Sequence, residues 1–169
     1  MRVYTIGHST RSFDELVELL RGFGVTTLAD VRTMPRSRRN PQFNSEVLRA
    51  ELPRYGLRYA HLPRLGGLRH THAGSPNDGW RNPSFRGFAD YMLTDEFAAG
   101  IDELLALDDT VAVMCAEAVP WRCHRSLIAD ALTVRGLSVE HILAAARTTP
   151  HALTPFAHVH GTRLTYPAP

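Results

Sequence analysis

The sequence predicts a single α/β domain built on a mostly parallel sheet of about five strands, with helices on both faces. Three observations carry this expectation. Short β-branched runs alternate with amphipathic segments along the chain, the second such run follows the first helix within a few residues, and Thr110–Cys115 is the most hydrophobic run in the chain, as a central strand buried on both faces should be. A length of 169 residues suits one domain that closes its core without metal or disulfide staples.

Arg2–Gly7 alternates and carries β-branched residues, so it reads as the first strand, and Gly7 permits a sharp turn before His8 and Ser9. Ser12 and Glu15 form a capping box, after which Phe13, Leu16, Val17, Leu20 and Phe23 recur at helical spacing until Gly24. Residues 26–32 make a second short apolar run, giving a β-α-β unit and hence a parallel sheet. Residues 33–43 hold Arg, Pro, Ser and Asn without periodicity and read as a surface loop, followed by a short helix capped by Asn44 or Ser45 and stopped at Pro53.

Residues 57–62 form the third strand. The following stretch to Asn82 is long, rich in glycine and aperiodic, and reads as a lid. Phe85, Phe88, Ala89 and Met92 mark one amphipathic helix, and Phe97, Ile101, Leu104 and Leu105 mark the next. After Thr110–Cys115 comes a helix over 123–135, closed by Gly136, and a last strand over 139–143. The α/β domain is thus expected over 1–143, with 144–169 as an extended C-terminal arm making few contacts of its own.

No stretch approaches the roughly 18 apolar residues of a membrane span, and the chain begins on a strand-like run instead of a signal peptide. Two cysteines, Cys115 and Cys123, are too few for a secreted disulfide scaffold. A cytoplasmic protein with free thiols and no membrane partner is expected. All 19 basic residues are arginine, the side chain suited to bidentate capture of phosphate and carboxylate, while a net charge of +2 is too small to imply nucleic acid by itself. The sequence leaves the oligomeric state open.

In open parallel sheets, ligands bind beyond the strand carboxyl ends. Those ends supply His8 and Ser9, Asp30 and Arg32, His61, and Cys115 with Glu117, so acid, base, thiol and guanidinium groups recur where the topology places a site. The segment 115–125 is the richest. Cys123, His124 and Arg125 lie at a helix start, where free N–H groups favour an anion and lower a thiol pKa, so Cys123 and His124 read as nucleophile and base, or as metal ligands, with Arg125 binding charge. The alternative is that Cys123 packs as a small hydrophobe and Arg125 pairs with Asp30 or Glu117. Arg32, Arg36, Arg38, Arg39 and Asn44 make an anion-recognition patch that Arg11 joins and Arg64 faces. A divalent metal is compatible with His8, His61, Cys115, Cys123 and His124, but their spacing matches no tight zinc signature, and no metal ligand is assigned.

Several separated strings resemble one known family: Tyr4 through Ser9, Asp30-Val31-Arg32 with Pro35 and Ser37-Arg38, Phe43-Asn44, His61-Leu62-Pro63 with Leu65-Gly66-Gly67, Met114 through Glu117, and Cys123-His124-Arg125. In this order they are similar to the bacterial and archaeal domain of unknown function 488, across roughly residues 2–143. The resemblance implies a compact α/β domain and confers no reaction.

The function expected from these residues is that of an enzyme, hydrolytic in the simplest case, on a phosphate-bearing substrate such as a nucleotide or nucleic acid, with DNA repair as one setting. Arginines would bind phosphate, Glu117 or Asp30 would act as base or stabilise a developing cation, and His8 or His61 would protonate the leaving group. This chemistry requires no cofactor. Two alternatives stay open: thiol or metal chemistry centred on Cys115, Cys123 and His124, and a non-catalytic module that binds nucleotide or nucleic acid.

Overall fold

The computed structural model describes residues 1–107 and 109–169. Strands β1 (Arg2–Gly7), β2 (Thr27–Asp30), β3 (Arg58–His61), β4 (Thr110–Cys115), β5 (Val139–Ala144) and β6 (Arg147–Pro150) form one sheet in the order β3-β2-β4-β1-β5-β6. The first five run parallel, and β6 folds back antiparallel on β5. The apolar β4 takes a central place, inserted between β1 and β2, so the two strands of the first β-α-β unit are not neighbours. Its register with β1 sets Val3 opposite Val111 and Gly7 opposite Cys115, which brings their carboxyl ends to the same edge.

Side chains alternate across this sheet. Tyr4, Ile6, Leu28 and Met114 pack under α1 (Phe13–Gly22) and α2 (Ser45–Glu51), through Leu16, Leu20 and Leu48. Val3, Ala29, Val111 and Val113 pack under α3 (Pro83–Tyr91), α4 (Asp95–Ala106) and α5 (Arg125–Thr133), through Phe88, Ile101, Leu104 and Leu127. The same parity turns Thr5 and Cys115 toward α5. The capping box closes as the sequence requires: Glu15 N–H donates to Ser12 Oγ and the Ser12 N–H to Glu15 Oε1. Among the described residues, no helix is long and apolar enough to cross a membrane.

Three expectations need correction. The last helix starts at Arg125 instead of Cys123, because Pro120 initiates a 3₁₀ turn over Pro120–Arg122 and Cys123 follows in an extended conformation. The stretch read as a lid is fastened. Asp90 accepts from Thr71 Oγ1 at 2.9 Å, Asn77 Nδ2 at 2.8 Å and Ser75 Oγ, while Asn77 Oδ1 accepts from the Tyr166 amide at 2.8 Å.

Residues 144–169 are not an arm. They supply β6 and the hairpin β7 (His158–His160) with β8 (Arg163–Thr165), and they bury Leu164 and Tyr166. Asp130 of α5 is the polar anchor, accepting from His151 Nε2 at 2.7 Å, Thr154 N at 3.1 Å, Thr154 Oγ1 at 2.7 Å and Tyr166 Oη at 2.9 Å. A fully buried carboxylate needs such a set of donors. These donors come entirely from the tail.

Candidate cysteine site

At the common edge, β1, β2 and β4 open onto two adjoining hollows instead of one pocket. The larger, about 450 Å³, has Cys115, Cys123, His124, Phe85, Phe88 and Arg122 in its walls. The smaller, about 280 Å³, is bordered by His8, Ser9, Arg36 and Asn40. Arg32, Met34, Ala116 and Glu117 belong to both and form the partition. The predicted site residues therefore separate into a thiol group and an imidazole group.

Arg125 organises the thiol group. Its side chain is 0% exposed, and its first helical position delivers the guanidinium under the end of β4. Nη1 donates to Cys115 Sγ at 2.7 Å and to the Glu117 carbonyl, Nη2 to the Ala118 carbonyl at 3.1 Å, and Nε to Thr5 Oγ1 at 3.1 Å. Among the described residues no carboxylate pairs with it. Neither Asp30 nor Glu117 supplies the expected partner; Glu117 contributes its main chain, and its side chain is exposed. A buried cation without a counter-charge costs several kcal/mol. Among the described groups that the guanidinium contacts, the Cys115 sulfur is the one that can ionise to supply the counter-charge.

Burial alone would raise the Cys115 thiol. The hydrogen bond from Cys123 and the charge of Arg125 outweigh burial and bring it down from 9.0 to about 7. Cys123 is pushed up instead, by the sulfur of Cys115 and by burial. This reverses the expectation that the helix start would activate Cys123. The Arg125 amide does approach Cys123 Sγ, but at 3.5 Å a single N–H contact is weaker than the guanidinium on Cys115.

His124 is a weaker base than the sequence predicts. Its Nε2–H is shared between the carbonyls of Val31 and Leu65, each at 3.1 Å, which leaves the Nδ1 lone pair facing Cys123 Sγ at 3.4 Å. Burial lowers its pKa to about 4, so near pH 7 the ring is neutral and Nδ1 can accept a hydrogen bond from the Cys123 thiol but holds a transferred proton poorly.

The imidazole group is a brace. Asp30 is 0% exposed, with Oδ1 accepting from Arg32 Nε at 2.9 Å and Oδ2 from Arg32 Nη2 and Tyr59 Oη, both at 2.7 Å. The bidentate pair and the Tyr59 hydroxyl leave Asp30 no free oxygen for a substrate, while burial and the Asp30 carboxylate push Tyr59 well up. His8 stacks on Phe43 at 4.6 Å, donates from Nδ1 to the Ser9 carbonyl at 2.8 Å, and presents Nε2 to Arg32 Nη1 at 3.3 Å. Burial lowers its pKa, so it too is neutral near pH 7. His61 donates from Nε2 to the Arg32 carbonyl at 2.8 Å and lines neither hollow.

Most of the expected anion patch is satisfied internally or directed elsewhere. Arg11 donates to the carbonyls of Gly7 and Leu143, Arg36 pairs with Glu46 at 3.2 Å, Arg64 pairs with Glu103, and Asn44 Oδ1 braces the Ser37 amide. Arg38 is exposed and lines neither hollow. Arg122, in the wall of the larger hollow, is the cation the sequence reading missed. Thr5, His141 and His151 were missed as well. Strand parity alone would have found Thr5, two residues before Gly7 on the face of Cys115. Among the described residues, no three His, Cys, Asp or Glu side chains converge as a metal ion requires.

Gly7 admits no side chain, since a Cβ there would lie 1.8 Å from the Glu117 carbonyl oxygen that holds Arg125. Gly7→Ala should therefore displace the loop after β4 and destabilise the fold by about 3 kcal/mol. Urea denaturation measures the loss, and an unchanged midpoint would contradict so close an approach.

A family model described as domain of unknown function DUF488 matches residues 12–132, well over half of the chain. No curated protein and no solved structure matches it.

Proposed function

The chain belongs to the family described as domain of unknown function DUF488; that description assigns no reaction, so from the site we propose a thiol-dependent enzyme with Cys115 as nucleophile and Cys123 as second thiol. The carrying observation is the contact between the buried Arg125 guanidinium and Cys115 Sγ at 2.7 Å, with no carboxylate among the described residues to share it. A thiolate is the nucleophilic form of cysteine, and one titrating at about 7 is abundant at neutral pH.

The paired thiols favour a disulfide or related electrophilic sulfur as substrate. Attack by the Cys115 thiolate on one sulfur forms a mixed disulfide and expels the other half as thiolate. Cys123 passes its proton to the expelled thiolate and attacks Cys115 Sγ, releasing the second half as thiolate and leaving a Cys115–Cys123 disulfide, which two equivalents of an external thiol reduce. The larger hollow suits a small substrate, its apolar walls at Phe85 and Phe88 and its cation at Arg122 able to meet an anionic end.

Hydrolysis of a phosphate-bearing substrate by carboxylate and histidine has less support, because Asp30 is enclosed by Arg32 and Tyr59 and both His8 nitrogens are engaged. Thiolate absorbance at 240 nm tests the proposal without needing a substrate. The expected signal is a transition near pH 7 that Cys115→Ser removes; a protein whose thiols ionise only near their ordinary value refutes it. Oxidation by glutathione disulfide should further remove the two thiol hydrogens, joining Cys115 to Cys123.

A further inference from the structure

Beyond Arg125 the hydrogen bonds continue through residues that the thiol chemistry leaves unused. Arg125 Nε donates to Thr5 Oγ1 at 3.1 Å, and Thr5 Oγ1 lies 2.5 Å from His141 Nδ1. His141 Nε2 lies 2.9 Å from His151 Nδ1, and His151 Nε2 lies 2.7 Å from Asp130 Oδ1. The two ends fix the protons between them. Arginine Nε can only donate and a carboxylate can only accept, so with both rings neutral Thr5 donates to His141, His141 to His151, and His151 to Asp130. Every donor points the same way, from the cation at Arg125 to the anion at Asp130.

Burial, with His151 and Arg125 adding to it, lowers the His141 pKa to about 4, so its ring is neutral near pH 7 as the chain requires. The charged groups facing the ring pair are Arg125 and Asp130, both on α5. Aligned hydrogen bonds polarise one another, which strengthens the hold of Thr5 on Nε. That hold matters because the guanidinium is planar: fixing Nε at Thr5 fixes the direction in which Nη1 meets the Cys115 sulfur.

We propose that Thr5, His141 and His151 are positioning residues of the cysteine site, an aligned chain anchored on Asp130 that holds the Arg125 guanidinium against Cys115. The inference rests on the thiolate reading of Cys115. It gives the C-terminal segment a part in the site, since His151 follows β6 and lies outside the family match over 12–132. It also opens the site to a second influence. His141 and His151 border a separate hollow of about 410 Å³ with Trp80, Trp121 and Thr154, which shares no lining residue with the cysteine hollow. A ligand in that hollow that takes the Nδ1 lone pair of His151 would displace the His141 donor and break the alignment.

The test follows iodoacetamide alkylation of Cys115 in the full chain against pH, with the modified peptide identified by mass spectrometry. The unaltered protein should be half-maximal near pH 7. Thr5→Val, which removes the hydroxyl that accepts from Arg125 and donates to His141 while keeping the side-chain shape, should raise the midpoint by about one unit and slow alkylation at pH 7 about fivefold. Thr5→Ser should restore it, and His151→Leu should shift it in the same direction as Thr5→Val. Nitrogen NMR of the unaltered protein reads the chain independently of any variant's folding: both rings should carry their proton on Nε2 at neutral pH. Folded variants that keep the wild-type midpoint overturn the positioning role and leave the nucleophile intact, as does a His141 ring protonated on Nδ1. A wild-type midpoint near the ordinary thiol value overturns both.

Discussion

Arg125→Met is expected to raise the Cys115 thiol toward its ordinary value of 9.0, because the charge and hydrogen bond of the guanidinium are lost while burial still acts in the raising direction, opposed only by the hydrogen bonds of Cys123 and the Glu117 main chain. A full return would cut the thiolate fraction at pH 7 on the order of 50-fold, and the alkylation rate at Cys115 falls with that fraction. Arg125→Lys should recover only part of the loss. A lysine ammonium can place one charge near the sulfur, but it lacks the fork that simultaneously reaches Thr5 and the carbonyls of Glu117 and Ala118. Stability gives an independent reading with a definite sign. A thiol lowered from 9.0 to about 7 on folding binds fewer protons in the folded state than in the unfolded chain between those values. Wild-type stability should thus rise with pH across that window, its gain complete above the unfolded value and lost as pH falls through 7. The Met variant should show a smaller rise in chemical denaturation. A variant with unchanged alkylation and an unchanged pH slope would mean that Arg125 does not set the state of Cys115.

Much of this site was legible because strand parity and strand ends are written locally. His8, Asp30, Arg32, Cys115 and Glu117 sit at the carboxyl ends that the short apolar runs announce, and the structure puts them on one edge. Which of several candidate partners a charged group takes on that edge is not legible from the strand ends alone. Asp30 and Arg32 are two residues apart and take each other, and this removes the carboxylate that Arg125 was expected to find. With that partner lost, the thiol proposed as nucleophile is Cys115, at the strand end, instead of Cys123, near the helix start. The strand order hides a comparable exchange: residues 26–32 signal a strand parallel to the first, but nothing in either run reveals that β4 separates them. The spacing between the cysteines gave no motif for the same reason, since their contact depends on a 3₁₀ turn that brings Cys123 back under β4.

The tail was the least legible part, and a chain ending at Ala144 is expected not to fold stably. Its anchors, Leu153, Phe156, Leu164 and Tyr166, are single apolar residues without helical or strand period, so they form no stripe that a pattern can detect. They reach the core one at a time, against Trp80 and around Asp130. Truncation removes buried Leu164 and Tyr166, worth about 5 kcal/mol together, and strips Asp130 of all four of its donors, which costs about 3–5 kcal/mol more. The sum is comparable to the total of about 5–15 kcal/mol that holds an ordinary domain folded. It also bares the hydrogen-bonding edge of β5 that β6 covers. Circular dichroism through a thermal ramp should show no cooperative transition for the truncated chain. Tyr166→Ala in the full chain should retain one at a lowered midpoint, because the other anchors still close the core. If the truncated chain melted cooperatively at the wild-type temperature, the segment would be an appendage after all, and the link from Asp130 through His151 to Arg125 would have no structural weight.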